Sequence, residues 1–257
     1  QRLVMGPWTH WGSKPNQLGA FSVPQKAQEF NEQDLIRDWF DFHLKNKETK
    51  LVSQEPVLYY VMGPFDGSES KGNCWKTAAY WPPSSYQTPF YLSEKNALQT
   101  EEPSFDKTLY GYHYDPEDPT PTKGGKNLYL DSGPFDQSSI EQRSDVLSFS
   151  TPRLLEDLEV TGRISATLYL ATNAQSTDIA ISLTDVYPDG KSVLISEGIQ
   201  HIEQNAEVQK VVVDLWTTSM VFAKGHQVRI NISSANYPRF DKNENKAYIF
   251  CTFNHLI

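Results

Sequence analysis

Ile164-Ser165-Ala166-Thr167-Leu168-Tyr169-Leu170 sets apolar side chains at every second position, the period that sends them to one face of a β-strand. The alternation returns in Ile179, Ile181 and Leu183, and again in Val228, Ile230 and Ile232. After the second of these runs stands Pro188-Asp189-Gly190. Proline presets φ there and glycine accepts the positive φ that other residues avoid, so the triplet is a turn. Working outward, strands are expected over 57–62, 75–80, 88–93, 126–131, 144–150, 160–172, 178–187, 192–202, 208–217, 227–235 and 247–253. Many short strands separated by turn signals predict a mainly β chain built as a two-sheet sandwich. A jelly roll is the favoured topology, although periodicity alone leaves an immunoglobulin-like sandwich open.

The first fifty residues follow a different rule. Leu3-Val4-Met5 is a short apolar strand stopped by Gly6-Pro7, and a polar loop continues to Pro24. Over 25–45 the period lengthens: Leu35, Ile36, Trp39, Phe40, Phe42 and Leu44 recur mostly at three- and four-residue intervals, with Lys45 and Lys47 at the end where cations suit the helix dipole. This predicts one amphipathic, core-packing helix. Residues 94–125, rich in proline and ending in Gly124-Gly125, read as a long ordered loop carrying Tyr110, Tyr112, His113 and Tyr114.

Composition excludes several classes. A net charge of −9 opposes the positive field that nucleic acid requires. No run of eighteen apolar residues is present to span a membrane. Gln1-Arg2-Leu3-Val4-Met5 is not a signal peptide and reads as the middle of something longer, so location stays open. Cys74 and Cys251 are too few for a disulfide framework or zinc site and are expected as free, at least half-buried thiols.

Among six histidines, His10 stands apart. It follows a short strand, lies between Trp8 and Trp11 and precedes the helix, the place where open α/β sheets hold their reactive groups. His43 fits amphipathic filling on the helix, His226 enters a strand after Lys224-Gly225, and His113, His201 and His255 show no special context. No HxH, HExxH or His–carboxylate cluster appears, and no phosphate-binding glycine loop, so neither metal nor cofactor is assigned. The chain has no G-x-S-x-G nucleophile elbow, and Ser13, Ser68 and Ser132 lack the strand–turn–helix setting that an elbow needs.

Leu3-Val4-Met5-Gly6-Pro7-Trp8-Thr9-His10, the helix ending Trp39-Phe40-Asp41-Phe42-His43-Leu44-Lys45, and Tyr114-Asp115-Pro116-Glu117-Asp118-Pro119-Thr120-Pro121-Thr122 with Gly124-Gly125 occur in order. Leu183-Thr184-Asp185-Val186-Tyr187-Pro188-Asp189-Gly190, Gly225-His226-Gln227-Val228-Arg229 and Tyr237-Pro238-Arg239-Phe240-Asp241 follow. The series resembles the cocaine esterase, α-amino acid ester hydrolase, glutaryl-cephalosporin acylase and X-Pro dipeptidyl-peptidase family over nearly the whole chain. The resemblance implies a jelly-roll β-sandwich of the galactose-binding-like kind over 51–257. Before it, residues 1–50 would be a strand–loop–helix remnant of an α/β-hydrolase domain. Of the Ser–Asp–His triad it supplies only His10; serine and aspartate would lie upstream of Gln1. Leu128 and Tyr129, just after the Gly-Gly pair, match positions that line the family's pocket.

So read, the chain is part of a serine hydrolase of small ester, amide or peptide substrates, silent without its missing N-terminal portion. A carbohydrate- or surface-binding module, suggested by 13 tyrosines and 6 tryptophans, and a complementing subunit of a split hydrolase are the alternatives. The sequence also departs from the family. Ser176-Thr177-Asp178 replaces Asp-Thr-Asp, Gln200-His201 follows Gly198-Ile199 where the family has arginine, and a foreshortened last strand with an exposed edge is expected.

Overall fold

The computed structural model describes residues 1–10, 17–103, 109–203 and 207–256, with side chains as far as Cys251. In chain order the elements are β1 (Leu3–Met5), β2 (Gln17–Leu18), β3 (Phe21–Ser22), α1 (Glu32–Lys45), β4 (Val57–Val61), β5 (Cys74–Ala78), β6 (Tyr91–Ser93) and β7 (Ala97–Gln99). They continue with β8 (Tyr110–Tyr114), α2 (Ser138–Glu141), β9 (Leu147–Ser150), β10 (Leu158–Thr172), β11 (Ser176–Val186), β12 (Ser192–Glu203), β13 (Gln209–Phe222), β14 (Gln227–Ser233) and β15 (Ala247–Leu256).

Two sheets form the body of the molecule. One has the order β13-β10-β15-β8, the other β12-β11-β14-β9-β7-β6. Their facing sides share one core: Ala166, Leu168, Leu170, Val213 and Ile249 from the first meet Phe149, Ile179, Ile181 and Ile232 from the second, with 2% exposure or less throughout. The alternation that opened the sequence reading therefore marks the inward faces. Tyr187–Lys191 closes the β11–β12 hairpin, Tyr187 N–H donating to Lys191 O at 2.8 Å, with Gly190 at φ +93°.

A smaller sheet of order β1-β4-β5 joins strands from either side of residue 50. β1 runs parallel to β4, Leu3 opposite Val57. The end of β4 is stitched into the sandwich: Met62 N–H donates to Ser219 O at 2.9 Å, and Val221 N–H donates to Met62 O at 2.8 Å.

Four expectations change. Residues 126–131 are not a strand. Gly125 and Gly133 exchange hydrogen bonds of 2.8 and 2.9 Å, pinching the segment between them into an outward loop. The stretch 94–125 is not one loop, because its tyrosine cluster is β8, paired with β15 from Tyr110↔Cys251 to Tyr114↔Ala247. The last strand is not foreshortened: β15 has 10 residues and lies between β10 and β8, with Ala247–Cys251 paired to β8. The helix over 25–45 divides into a 3-10 turn at Gln25–Gln28 and α1, whose N-cap Asn31 accepts from Gln33 N–H. No α1 residue is buried, and Ile36 (47%), Phe40 (51%) and Leu44 (73%) form an exposed apolar stripe at four-residue spacing. The amphipathic pattern is real; the surface it would pack on is absent from the described residues.

Candidate functional site

A cleft of about 610 Å³ opens where the loop after β1 meets the sandwich. Gly6, Pro7, Trp8, Thr9 and His10 line one wall. Tyr59 and Tyr60 contribute from β4, Met62 from just after it, and Gly125–Leu128, Leu194–Glu197 and Thr217–Ser219 from the sandwich. His10 and Leu128, chosen from separate motifs, thus share one cavity.

The His10 loop is held by aromatic packing. Trp8 N–H donates to Gly6 O at 2.9 Å, and the indole folds back so closely that a Cβ at Gly6 would lie 2.1 Å from it. The ring packs against Phe30 at 5.5 Å and Trp75 at 6.3 Å, while Trp75 Nε1–H donates to Lys26 O at 3.0 Å. Trp8 Nε1 is buried without a hydrogen-bond partner among the described residues. His10 itself is exposed at the mouth. Trp11 lies outside the described residues.

On the opposite wall, two glycines at positive φ, Gly124 (+78°) and Gly125 (+91°), turn the chain. A Cβ on Gly125 would sit 1.9 Å from Glu197 Oε1, so glycine is required for conformation and for space. Glu197 is nearly buried and fully engaged. It accepts from Lys126 N–H at 3.2 Å and Asn236 Nδ2 at 2.9 Å, and it pairs with Arg239. Asn127 Nδ2 closes the loop by donating to Gly124 O at 2.6 Å. Leu128 (51% exposed) faces the cleft, whereas Tyr129 (97%) does not line it.

Sequence reasoning missed Lys126 and Glu197, which line the cleft. The motif Tyr237-Pro238-Arg239 held the available clue, since Arg239 exists to neutralise Glu197 behind the glycine pair.

The other histidines lie elsewhere. His226 is buried against Asp185 (Nδ1 to Oδ1, 2.9 Å) and Tyr187, and His201 contacts Asp178 at 2.8 Å; neither pair lines the cleft. His43 packs on its own helix, 4.1 Å from Trp39. Cys74 and Cys251 are free, half-buried and buried respectively. Among the described residues no cluster of three or more His, Cys, Asp or Glu is placed to hold a metal, and no helix is long and apolar enough to cross a membrane.

Residues 50–256 match the model of the X-Pro dipeptidyl-peptidase C-terminal non-catalytic domain. The chain belongs to that family. Cocaine esterase of Rhodococcus sp. (strain MB1 Bresler) is 33% identical over 95% of this chain and 45% of its own length. The C-terminal-domain chain therefore spans less than half the length of the curated relatives it matches. Its fold is shared with an aminopeptidase from a marine sediment Thaumarchaeota archaeon (TM-score 0.84, 21% identity, all of this chain and 49% of the other). It is also shared with a selenomethionine-labelled α-amino acid ester hydrolase (TM-score 0.81, 23% identity, 99% and 49%). Both likenesses extend across β1 and α1 as well as the sandwich.

Proposed function

We propose that this chain is the C-terminal part of a serine hydrolase that cleaves ester or amide bonds of small acyl or peptide substrates, with His10 as its triad histidine. One observation carries the reading: His10 stands at the mouth of a cleft whose far wall is Leu128. The upstream portion would bring serine and aspartate to that mouth. The imidazole then takes the serine hydroxyl proton as the oxygen attacks the substrate carbonyl. It later returns that proton to the leaving group, with the aspartate holding its tautomer. Leu128 offers an apolar contact for the acyl or leaving group, and Tyr129 closes over the substrate only if the upstream portion packs against this loop.

The exposed stripe Ile36-Phe40-Leu44 supports the same reading, because an apolar helix face of this kind is normally covered. The hydrolase portion would cover it, on the same polypeptide or as a separate subunit. For the sandwich we infer a jelly roll. Counted from β8 as the first, the strands run 1-8-3-6 in one sheet and 2-7-4-5 in the other, the pattern of two interleaved Greek keys. Galactose-binding-like kinship is part of this proposal.

In the whole enzyme His10→Ala should lower kcat by a factor of about 10³ or more, while the 257-residue chain alone should not hydrolyse aryl esters. Turnover by the isolated chain that disappears with His10→Ala would overturn the division of labour.

A second reading, sugar binding, draws on one feature. Tyr248 (52% exposed) and Phe250 (43%) stand on the outer face of β15, with the His113 ring tilted against Tyr248 at 4.6 Å. Glycan-array binding lost with Tyr248→Ala would favour it.

A further inference from the structure

The loop that carries His10 is fastened on both sides to residues 50–256, the stretch that matches the non-catalytic domain. On the near side Trp8 packs against Trp75 of β5 at 6.3 Å, and Phe30 packs on both rings, 5.5 Å from Trp8 and 5.2 Å from Trp75. Trp75 is itself fixed from two directions. It stands opposite Tyr60 of β4 in the ladder and meets that ring edge-on at 5.2 Å, while its Nε1–H donates to Lys26 O at 3.0 Å. Tyr60, 4% exposed, joins Leu18, Val23 and Ala27 in a small core on which Trp75 and Met62 pack. Met62 also packs against the main core of the sandwich, so the two cores are linked through it.

On the far side the hairpin β2–β3 makes a second attachment. Ala20 N–H donates to Pro134 O at 3.2 Å, and the Phe21 ring stacks on Phe65 at 5.2 Å. Helix α1, by contrast, buries none of its own residues. Contacts with the C-terminal domain thus locate the chain on either side of His10.

We propose that Trp75 is a positioning residue for His10: acting through Trp8, it fixes where the imidazole stands at the mouth of the cleft, so that the C-terminal domain sets the geometry of proton transfer without touching the reacting atoms. The proposal rests on the hydrolase reading and adds a division of roles to it. Trp75 does not line the cleft, so its influence on a substrate runs through the His10 loop. General-base catalysis depends steeply on placement, and an error of about 1 Å can cost about 10²-fold in rate. A loop with several courses open to it does not hold a ring to that tolerance. Rings interlocked with two paired strands do, because packing removes the alternatives.

The test reads the His10 ring by NMR in the 257-residue chain and turnover of an aryl ester in the whole enzyme, with circular dichroism confirming that each variant folds. In the chain, Trp75→Ala should shift or broaden the His10 resonances; Trp75→Leu, which keeps apolar bulk, replaces it if the alanine variant does not fold. Trp75→Phe keeps a ring against Trp8 and Tyr60 but gives up the bond to Lys26, and it should restore most of the native spectrum. Ile179→Ala, a control fully buried in the main core and away from the cleft, should leave His10 unmoved. In the whole enzyme Trp75→Ala should lower kcat by about tenfold or more with KM within about twofold, and Trp75→Phe should recover most of the loss. Should either His10 or kcat respond to the Trp75 variants no more than to Ile179→Ala, the positioning role is wrong, while loss of turnover in His10→Ala still upholds the hydrolase reading. If His10→Ala leaves turnover intact, the hydrolase reading fails and the positioning role with it.

Discussion

Nδ1 of His226 stands 2.9 Å from Oδ1 of Asp185 inside the second sheet, where the two residues are 1% and 0% exposed. The other carboxylate oxygen, Oδ2, is buried without a hydrogen-bond partner among the described residues. The pair lies at the β11–β14 junction beside Tyr187, whose hydroxyl accepts from Phe65 N–H at 2.8 Å. It is thus a structural link between the hairpin and the chain leaving β4.

Removing one partner strands the other. His226→Ala should destabilise the fold by about 3–5 kcal/mol, because a buried carboxylate loses the imidazole that partners it. Asp185→Asn, which keeps an acceptor for the imidazole N–H, should cost clearly less. Burial holds the Asp185 carboxyl above its ordinary 3.8. The folded state therefore binds its proton more tightly than the unfolded chain, and the associated stability declines as pH rises from 3.8. Urea denaturation across pH 3.5–7 should show a shallower decline for Asp185→Asn. Equal slopes would remove Asp185 from the explanation.

Gly125→Ala should be costly despite its small size. The new methyl meets Glu197 at 1.9 Å, in a backbone at φ +91°. We expect a loss of about 2 kcal/mol or more, together with displaced Lys126 and Leu128 resonances. Gly190→Ala is the control: it has an equally positive φ but open space around it, and its cost should stay near 1 kcal/mol.

Trp8→Ala removes the ring that joins the His10 loop to Phe30 and Trp75. A half-buried tryptophan should give about 2–3 kcal/mol, below the range for fully buried aromatics. The more telling readout is the His10 ring, whose resonances should broaden or move. Unchanged His10 signals would mean the loop is held by something else. His10→Ala, at an exposed position, should alter stability by less than about 0.5 kcal/mol.

Thiol chemistry should separate the two cysteines. Burial raises the Cys251 thiol to about 12, so at pH 8 almost none is the reactive thiolate. Iodoacetamide should label Cys74 in the folded chain and Cys251 only after denaturation. Mass spectrometry of the native digest decides this.

The sandwich was legible because its strands alternate strictly, and because the turn at Pro188-Asp189-Gly190 has its own chemistry. The errors share one origin. Segment 126–131 alternates like a strand, but the hydrogen bonds between Gly125 and Gly133 decide its course, and periodicity carries no information about such pinches. Tyr110–Tyr114 looked like loop because prolines and glycines follow it; its pairing with β15 is a contact between the ends of the domain. His10 and Leu128 were singled out through motif likeness, and their meeting in one cleft is tertiary. Lys126 and Glu197 escaped because neither an isolated lysine nor a glutamate in a strand signals anything until the Gly124-Gly125 turn brings them together.

The bonds from β1 to β4, and from Met62 to β13, make a ladder from the strand that leads into the His10 loop to the strand that bears Thr217–Ser219. Swinging one wall of the cleft away from the other would tear that ladder. The width of the opening is accordingly set when the chain folds. On the hydrolase reading proposed above, selection would come from what fits a fixed aperture, not from jaws that adjust around each guest.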